Sequence, residues 1–153
     1  MLPSGVQILA LDDPDHLTDL AAEAQIGGHR MVRRLIEEWR DGRNRFDAPG
    51  ESVFTATING RIVGVVGLNR DPFADDVSVG RVRRLYVAAD HRRSGIATAL
   101  MAHLVNDAKG HFRSLHLRTH DPIAAAFYAA VGFKTVTDND VVTHCLALPQ
   151  PDQ

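Results

Sequence analysis

Between Val79 and Ala108 the chain reads as a strand, a tight turn and a helix in one continuous run. Val79-Gly-Arg-Val-Arg-Arg-Leu-Tyr-Val87 has the β-branched and aromatic residues of a strand. Ile96, Leu100, Leu104 and Ala108 then recur at helical spacing, with Ala97, Met101 and Val105 beside them. The stretch Arg92-Arg93-Ser94-Gly95-Ile96-Ala97 must therefore turn the one into the other. Gly95 permits a tight bend and puts no Cβ in the path of a ligand. The first N–H groups of a helix have no partner inside it and sit at the positive end of its dipole, which suits a phosphate or pyrophosphate. A glycine before a helix is also an ordinary turn. Neither Gly-x-x-x-x-Gly-Lys-Ser/Thr nor Gly-x-Gly-x-x-Gly occurs in the sequence.

The rest of the chain sorts into short elements. Val6 to Leu11 reads as a strand, and Asp12-Asp13-Pro14-Asp15 as a helix start. Helices are predicted over His16 to Gln25 and His29 to Trp39, separated by Gly27-Gly28. A polar loop from Asp41 to Gly50 precedes two strands, Ser52 to Ile58 and Arg61 to Leu68. Asn59-Gly60 between them is a strong hairpin signal. Asn69 to Ser78 is a loop. After the central helix, Ser114 to Thr119 alternates as a strand. Asp121 and Pro122 start a further helix as cap and first residue, and Gly132 ends it. Lys134 to Thr137 and Val141 to Leu148 are predicted to pair as a last antiparallel hairpin, with a fraying tail from Pro149. This order is a mixed α/β pattern, not a series of regular βαβ units. Residues 1–153 read as one domain, without repeats or a linker.

Composition excludes several classes. No run of about 18 apolar residues exists to span a membrane. The first residues lack the basic and apolar regions of a secretory signal. Cys145 is the only cysteine, so no intramolecular disulfide or cysteine-based zinc site can form. A cytoplasmic location fits. The net charge of −2 argues against general affinity for nucleic acid. His116 and His120 lie on a strand and its end, with no third ligand in pattern, and no metal is expected. Cys145, in the last strand, reads as a buried, inert thiol.

Arg92, Gly95 and Ala97 fill the fixed positions of an Arg/Gln-x-x-Gly-x-Gly/Ala signature. With the preceding Leu85-Tyr86-Val87, this region resembles the GNAT superfamily of acyl-CoA-dependent N-acyltransferases. Downstream, Ala124-Ala-Ala-Phe-Tyr128-Ala-Ala-Val-Gly132-Phe133 resembles the family's helix ending in Tyr-x-x-x-Gly-Phe. The likeness covers residues 79–136 closely and the first half by layout. It implies an α/β fold of the α+β type: a twisted, mainly antiparallel sheet flanked by helices, with central strands that splay apart. The cofactor would enter the V between them.

The resemblance also implies roles. The pantetheine arm of acetyl-CoA would pair with the backbone of Leu85, Tyr86 and Val87 like an added strand. Its pyrophosphate would lie on Arg92, Arg93, Ser94, Gly95, Ile96 and Ala97. Arg81, Arg83 and Arg84 extend Arg92 and Arg93 into a basic cluster that could serve coenzyme A phosphates or be a solvated face. Tyr128 would sit near the cofactor sulfur as general acid, and is otherwise a core aromatic. Asp121 stands where many members have a pantetheine-binding asparagine; ionised, it cannot donate a hydrogen bond. The central strand lacks the glutamate that often relays a proton from the amine. Glu51, opening a strand, and His120, ahead of the tyrosine helix, are the candidate bases; a strand end and a surface residue are the plainer readings. The expected activity is direct acetyl transfer to a primary amine on a small molecule or peptide, with oxyanion stabilisation by N–H near Val87. A homodimer is compatible with this. The alternatives are a non-catalytic acyl-CoA sensor, or an RNA-associated protein using the Arg81–Arg93 cluster.

Overall fold

One sheet of seven strands, in the order β1-β2-β3-β4-β5-β7-β6, runs through the computed structural model, which describes residues 2–150. In chain order the strands are β1 (Val6–Ala10), β2 (Ser52–Ile58), β3 (Arg61–Arg70), β4 (Val79–Val87), β5 (Ser114–Leu117), β6 (Lys134–Thr135) and β7 (His144–Ala147). The helices are α1 (Thr18–Ile26), α2 (Met31–Asp41), α3 (Ile96–Ala108) and α4 (Pro122–Ala130). Every neighbouring pair is antiparallel except β4 and β5. Of the expected fraying tail, residues 151–153 lie outside the described residues.

Local chemistry explains most boundaries. The Asp13 carboxylate accepts from the Asp15 N–H at 2.9 Å, with Pro14 next, and a 3-10 turn over Pro14–Leu17 leads into α1. α2 starts and ends two residues later than the sequence pattern suggests. Gly42, at φ 85°, takes the left-handed conformation that closes a helix, so α2 runs on to Asp41. Asn59 and Gly60 both have positive φ, 51° and 77°, as a two-residue hairpin between β2 and β3 requires. The closing hairpin is shorter than expected. The Asn139 side chain accepts from the N–H groups of Val141 and Val142, which holds the turn together up to β7. β5 stops at Leu117 because the Thr119 N–H bonds the Thr143 hydroxyl.

The two faces of the sheet bury separate apolar clusters. Ile96, Leu100 and Leu104 of α3 pack on Val66, Leu68, Val82, Leu115 and Leu117, with Tyr128 and Phe133 beside them. On the other face Leu20, Ala24, Val32 and Leu35 pack on Val53, Val65 and Tyr86. Each Leu, Ile, Val or Phe side chain among these contributes roughly 1.5–3 kcal/mol.

Two departures from a regular sheet create the site. First, Val65 pairs with Tyr86 and Gly67 with Arg83, so Arg84 and Leu85 together oppose Val66. This is a β-bulge, with Arg84 left-handed at φ 62°. Second, β4 pairs with β5 only through Val79, Gly80 and Arg81. From Val82 to Val87 the strand has no partner strand across that gap among the described residues, as expected for central strands that splay.

Candidate active site

The gap opens beside the turn that links β4 to α3. In that turn Arg93 and Gly95 have φ of 60° and 84°. Among the described residues, the backbone N–H groups of Ser94, Gly95, Ile96 and Ala97 have no protein acceptor; the ladder of α3 begins with Ala99 donating to Gly95. A row of convergent N–H groups at a helix N-terminus is an anion cradle. A Cβ on Gly95 would meet only Leu2, at 3.6 Å, so there the backbone conformation, more than crowding, favours glycine.

Arg92 does not reach forward from this turn. Its Nε donates to the Val87 carbonyl at 3.1 Å and its guanidinium lies over the Tyr86 ring, 5.4 Å from the centroid. The turn is thereby tied back to β4. Glu23 of α1 adds a second tie: one oxygen accepts from the Ala89 N–H at 2.9 Å, the other from the Tyr86 hydroxyl. The Tyr86 bond is the largest cause holding the Glu23 carboxyl below its ordinary range. Burial, then Glu23, pushes the Tyr86 hydroxyl up to about 12. Nothing local in the sequence marks Glu23, which meets Tyr86 from 63 positions away.

The open edge has a definite polarity. Ala88 donates to Val63 at 2.8 Å, toward β3. Polar groups alternate sides along an extended strand, so those of Val87 face the gap. The side chains of Leu85 and Val87 pack against the α3 core.

Tyr128 projects from α4 into that core, only 8% exposed, with ring centroids of Phe127 at 5.4 Å, Phe133 at 5.6 Å and His144 at 6.3 Å. Its hydroxyl has no hydrogen-bond partner among the described residues. Burial pushes that hydroxyl up to about 12. Asp121 caps α4, accepting from the Ile123 N–H at 3.0 Å. His120 is exposed, just before this cap.

Glu51 lines a cleft of about 550 Å³ on the α2 face of β3 and β4. Both its oxygens are engaged. Oε1 accepts from the Ala48 N–H at 3.1 Å; Oε2 accepts from Asn69 Nδ2 and the Arg70 N–H, each at 2.9 Å. Glu51 thus staples the 41–50 loop to the end of β3.

The five arginines expected as one basic cluster are dispersed. Arg81 is buried, bonded to Asp71 at 3.3 Å and to the Val141 carbonyl. Arg83 lines the cleft. Arg84 pairs with Glu38 at 2.9 Å. Only Arg92 and Arg93 are exposed. Alternation and the bulge point neighbouring residues to different faces, so no continuous cationic surface forms. Asp71 also holds His116 Nδ1 at 2.9 Å. This buried set closes the β4–β5 pairing at its last paired position, Arg81 with His116.

Cys145 is half-buried, and burial pushes its thiol above the ordinary range. Among the described residues no three His, Cys, Asp or Glu side chains converge as a metal-ligand set, and no helix is long and apolar enough to cross a membrane.

An open strand edge ending in an anion cradle, in a mostly antiparallel sheet flanked by helices, is the layout that the GNAT resemblance implied. The sequence model of the Acetyltransferase (GNAT) family matches residues 15–133, and the chain belongs to that family. It is therefore an acyltransferase. A crystal structure from Exiguobacterium sp. 255-15 is 27% identical, with 93% of each chain covered and a TM-score of 0.82. An acetyltransferase of the GNAT family from Staphylococcus aureus Mu50 is 19% identical over 95% of this chain and 100% of its own, with a TM-score of 0.72. An N-acetyltransferase from the same source is 18% identical over 95% and 100%, with a TM-score of 0.71.

Proposed function

We propose that the enzyme transfers an acetyl group from acetyl-CoA directly to a primary amine, in a reducing, cytoplasmic setting. The observation that carries this is the pairing of two unmet backbone demands: the free N–H groups of Ser94 to Ala97, and the unpaired edge of β4 that leads to them. A ligand with a pyrophosphate and a chain of amides answers both. Ser94, Gly95, Ile96 and Ala97 would hold the pyrophosphate, and the backbone around Leu85, Tyr86 and Val87 the amides. Arg92 supports this indirectly, by fixing the turn on β4. Asp121 acts as the helix cap.

Acetyl-CoA supplies an activated thioester. The Val87 N–H, facing the gap, donates toward the acetyl carbonyl oxygen. Tyr128, with its hydroxyl unengaged, donates toward the departing sulfur. Direct transfer is favoured because the one cysteine lies on β7, separated from the open edge of β4 by β5, and burial raises its thiol above the ordinary range. On the acceptor side, Arg43, Arg45, Arg70 and Arg83 outnumber Glu38, Asp47 and Glu51 among the residues that line the cleft. Positive charge around a bound amine disfavours the ammonium and so promotes the neutral form that attacks. In this reading the proton passes to water in the open cleft. Glu51 positions the loop, and His120 lies outside the reacting centre.

Calorimetry with acetyl-CoA tests the assignment. Wild type is expected to bind; folded Gly95→Glu, with bulk and negative charge in the cradle, is expected to lose at least tenfold in affinity, roughly 1.4 kcal/mol. Equal affinities would remove the cradle from the reading. Thiol release with an amine panel then separates turnover from mere sensing.

A further inference from the structure

The acceptor-side cleft contains a cation with no counter-ion. Arg83 is half-buried on β4 and makes no hydrogen bond or ion pair among the described residues. Burial is the largest influence on it, followed by repulsion from Arg84; Arg81 repels it further. Glu38 and Asp71 attract it from beyond contact distance. Both are already committed, Glu38 to Arg84, and Asp71 to Arg81 and His116. Two further acids near the opening are committed as well. Glu51 holds the loop, and Asp41 pairs with Arg43 at 2.7 Å. Asp47 is exposed. A guanidinium cannot escape this position by losing its proton. Its remaining option is an anion from outside the chain, and its planar fork of donors matches the two oxygens of a carboxylate.

We infer that the acceptor is a primary amine carrying a carboxylate, an amino-acid-like small molecule, and that Arg83 receives that carboxylate in the α2-side cleft. The inference rests on acetyl transfer occurring at the adjoining gap. Arg83 directly precedes the bulge residues Arg84 and Leu85, so an acceptor anchored there lies next to the open edge. The cleft volume of about 550 Å³ falls in the range that takes one small ligand. Arg45 and Arg70 on the same walls add to the preference for an anion. A polyamine offers Arg83 no anion and is expected to be the poorer acceptor.

The test compares each of a panel of amino acids with its own carboxamide, alongside spermidine and phosphoethanolamine, using thiol release from acetyl-CoA. Acids are expected to exceed their amides in kcat/KM by roughly 10- to 100-fold, the usual weight of a charged hydrogen-bonded contact. In Arg83→Gln the acid–amide gap should collapse while acetyl-CoA affinity and Tm hold. Acids and amides used equally by wild type overturn the inference, as does preference for spermidine. Preference for phosphoethanolamine overturns the carboxylate assignment. If acetyl-CoA does not bind, acetyl transfer itself fails, and the cleft is then read by ligand-observed NMR of the amino acids against their amides. No acid bound more tightly than its amide in that measurement also overturns the inference.

Discussion

Replacing Tyr128 by phenylalanine removes one oxygen and leaves the ring against Phe127, Phe133 and His144. The lost hydroxyl has no protein partner among the described residues, so no buried group is orphaned and the change in stability should stay within about 0.5 kcal/mol. Any effect on rate is then an effect on chemistry. The hydroxyl is held at about 12 by burial. A departing thiolate of ordinary basicity, near 8.5, is roughly 3.5 units less basic, and full proton transfer to it would be uphill by about 5 kcal/mol. In the proposed reading Tyr128 therefore serves as a hydrogen-bond donor to developing charge more than as a proton source. Such a bond is worth about 1.5–3 kcal/mol, or roughly 10- to 150-fold in kcat. Steady-state kinetics on Tyr128→Phe should show that fall with little change in acetyl-CoA affinity. Because the group is pushed up, its contribution to stability is fully present below pH 10 and lost as pH rises toward 12, so wild-type kcat should show no fall near pH 10 from this hydroxyl. A kcat within about threefold of wild type, at unchanged Tm, would refute the donor role and leave the residue as packing.

Two further outcomes separate structural from chemical roles. Glu51→Gln turns an all-acceptor clamp on Ala48, Asn69 and Arg70 into one with a misplaced donor, and should cost about 1–3 kcal/mol in urea unfolding, with activity falling only in step. Should its pH–rate profile shift while stability holds, Glu51 is the base; the same profile for His120→Gln is expected to match wild type. Asp71→Asn leaves Arg81 buried without its counter-charge and should lower stability by about 3–5 kcal/mol, a loss under 1 kcal/mol being incompatible with the ion set described.

What was legible in the sequence was local. The Asn59-Gly60 hairpin, the Asp121-Pro122 helix start and the Arg92–Ala97 turn each follow from the steric and hydrogen-bonding preferences of adjacent residues, and each lies where expected. What was not legible depends on distance along the chain. Glu23 meets Tyr86 across 63 positions, Arg84 meets Glu38 across 46, and His116 meets Asp71 across 45. No spacing rule announces such pairs. For the same reason Glu51 looked free to act as a base, when its partners at Asn69 and Arg70 had yet to be folded against it.

The bulge is the clearest case, because it reverses the side to which every later residue of β4 belongs. In an unbroken strand Val82 and Arg83 face opposite ways, and Tyr86 would share the face of Val82. Here Val82 packs against α3, while Tyr86 packs among the side chains of α1 and α2. One inserted residue accounts for the exchange. Its consequences are chemical. Tyr86 can reach Glu23 and lie under Arg92, which together fix the anion cradle. Leu85 and Val87 turn their side chains to the α3 core, and the polar groups of Val87 face the gap. Arg83, just before the bulge, stays on the α2 face and lines the cleft. The left-handed residue Arg84 thus divides β4 into a half whose Arg83 lines the α2-side cleft and a half that lies along the open edge. In the proposed function, the exchange of sides within one strand is what lets acetyl-CoA and the amine meet there from different faces of the sheet.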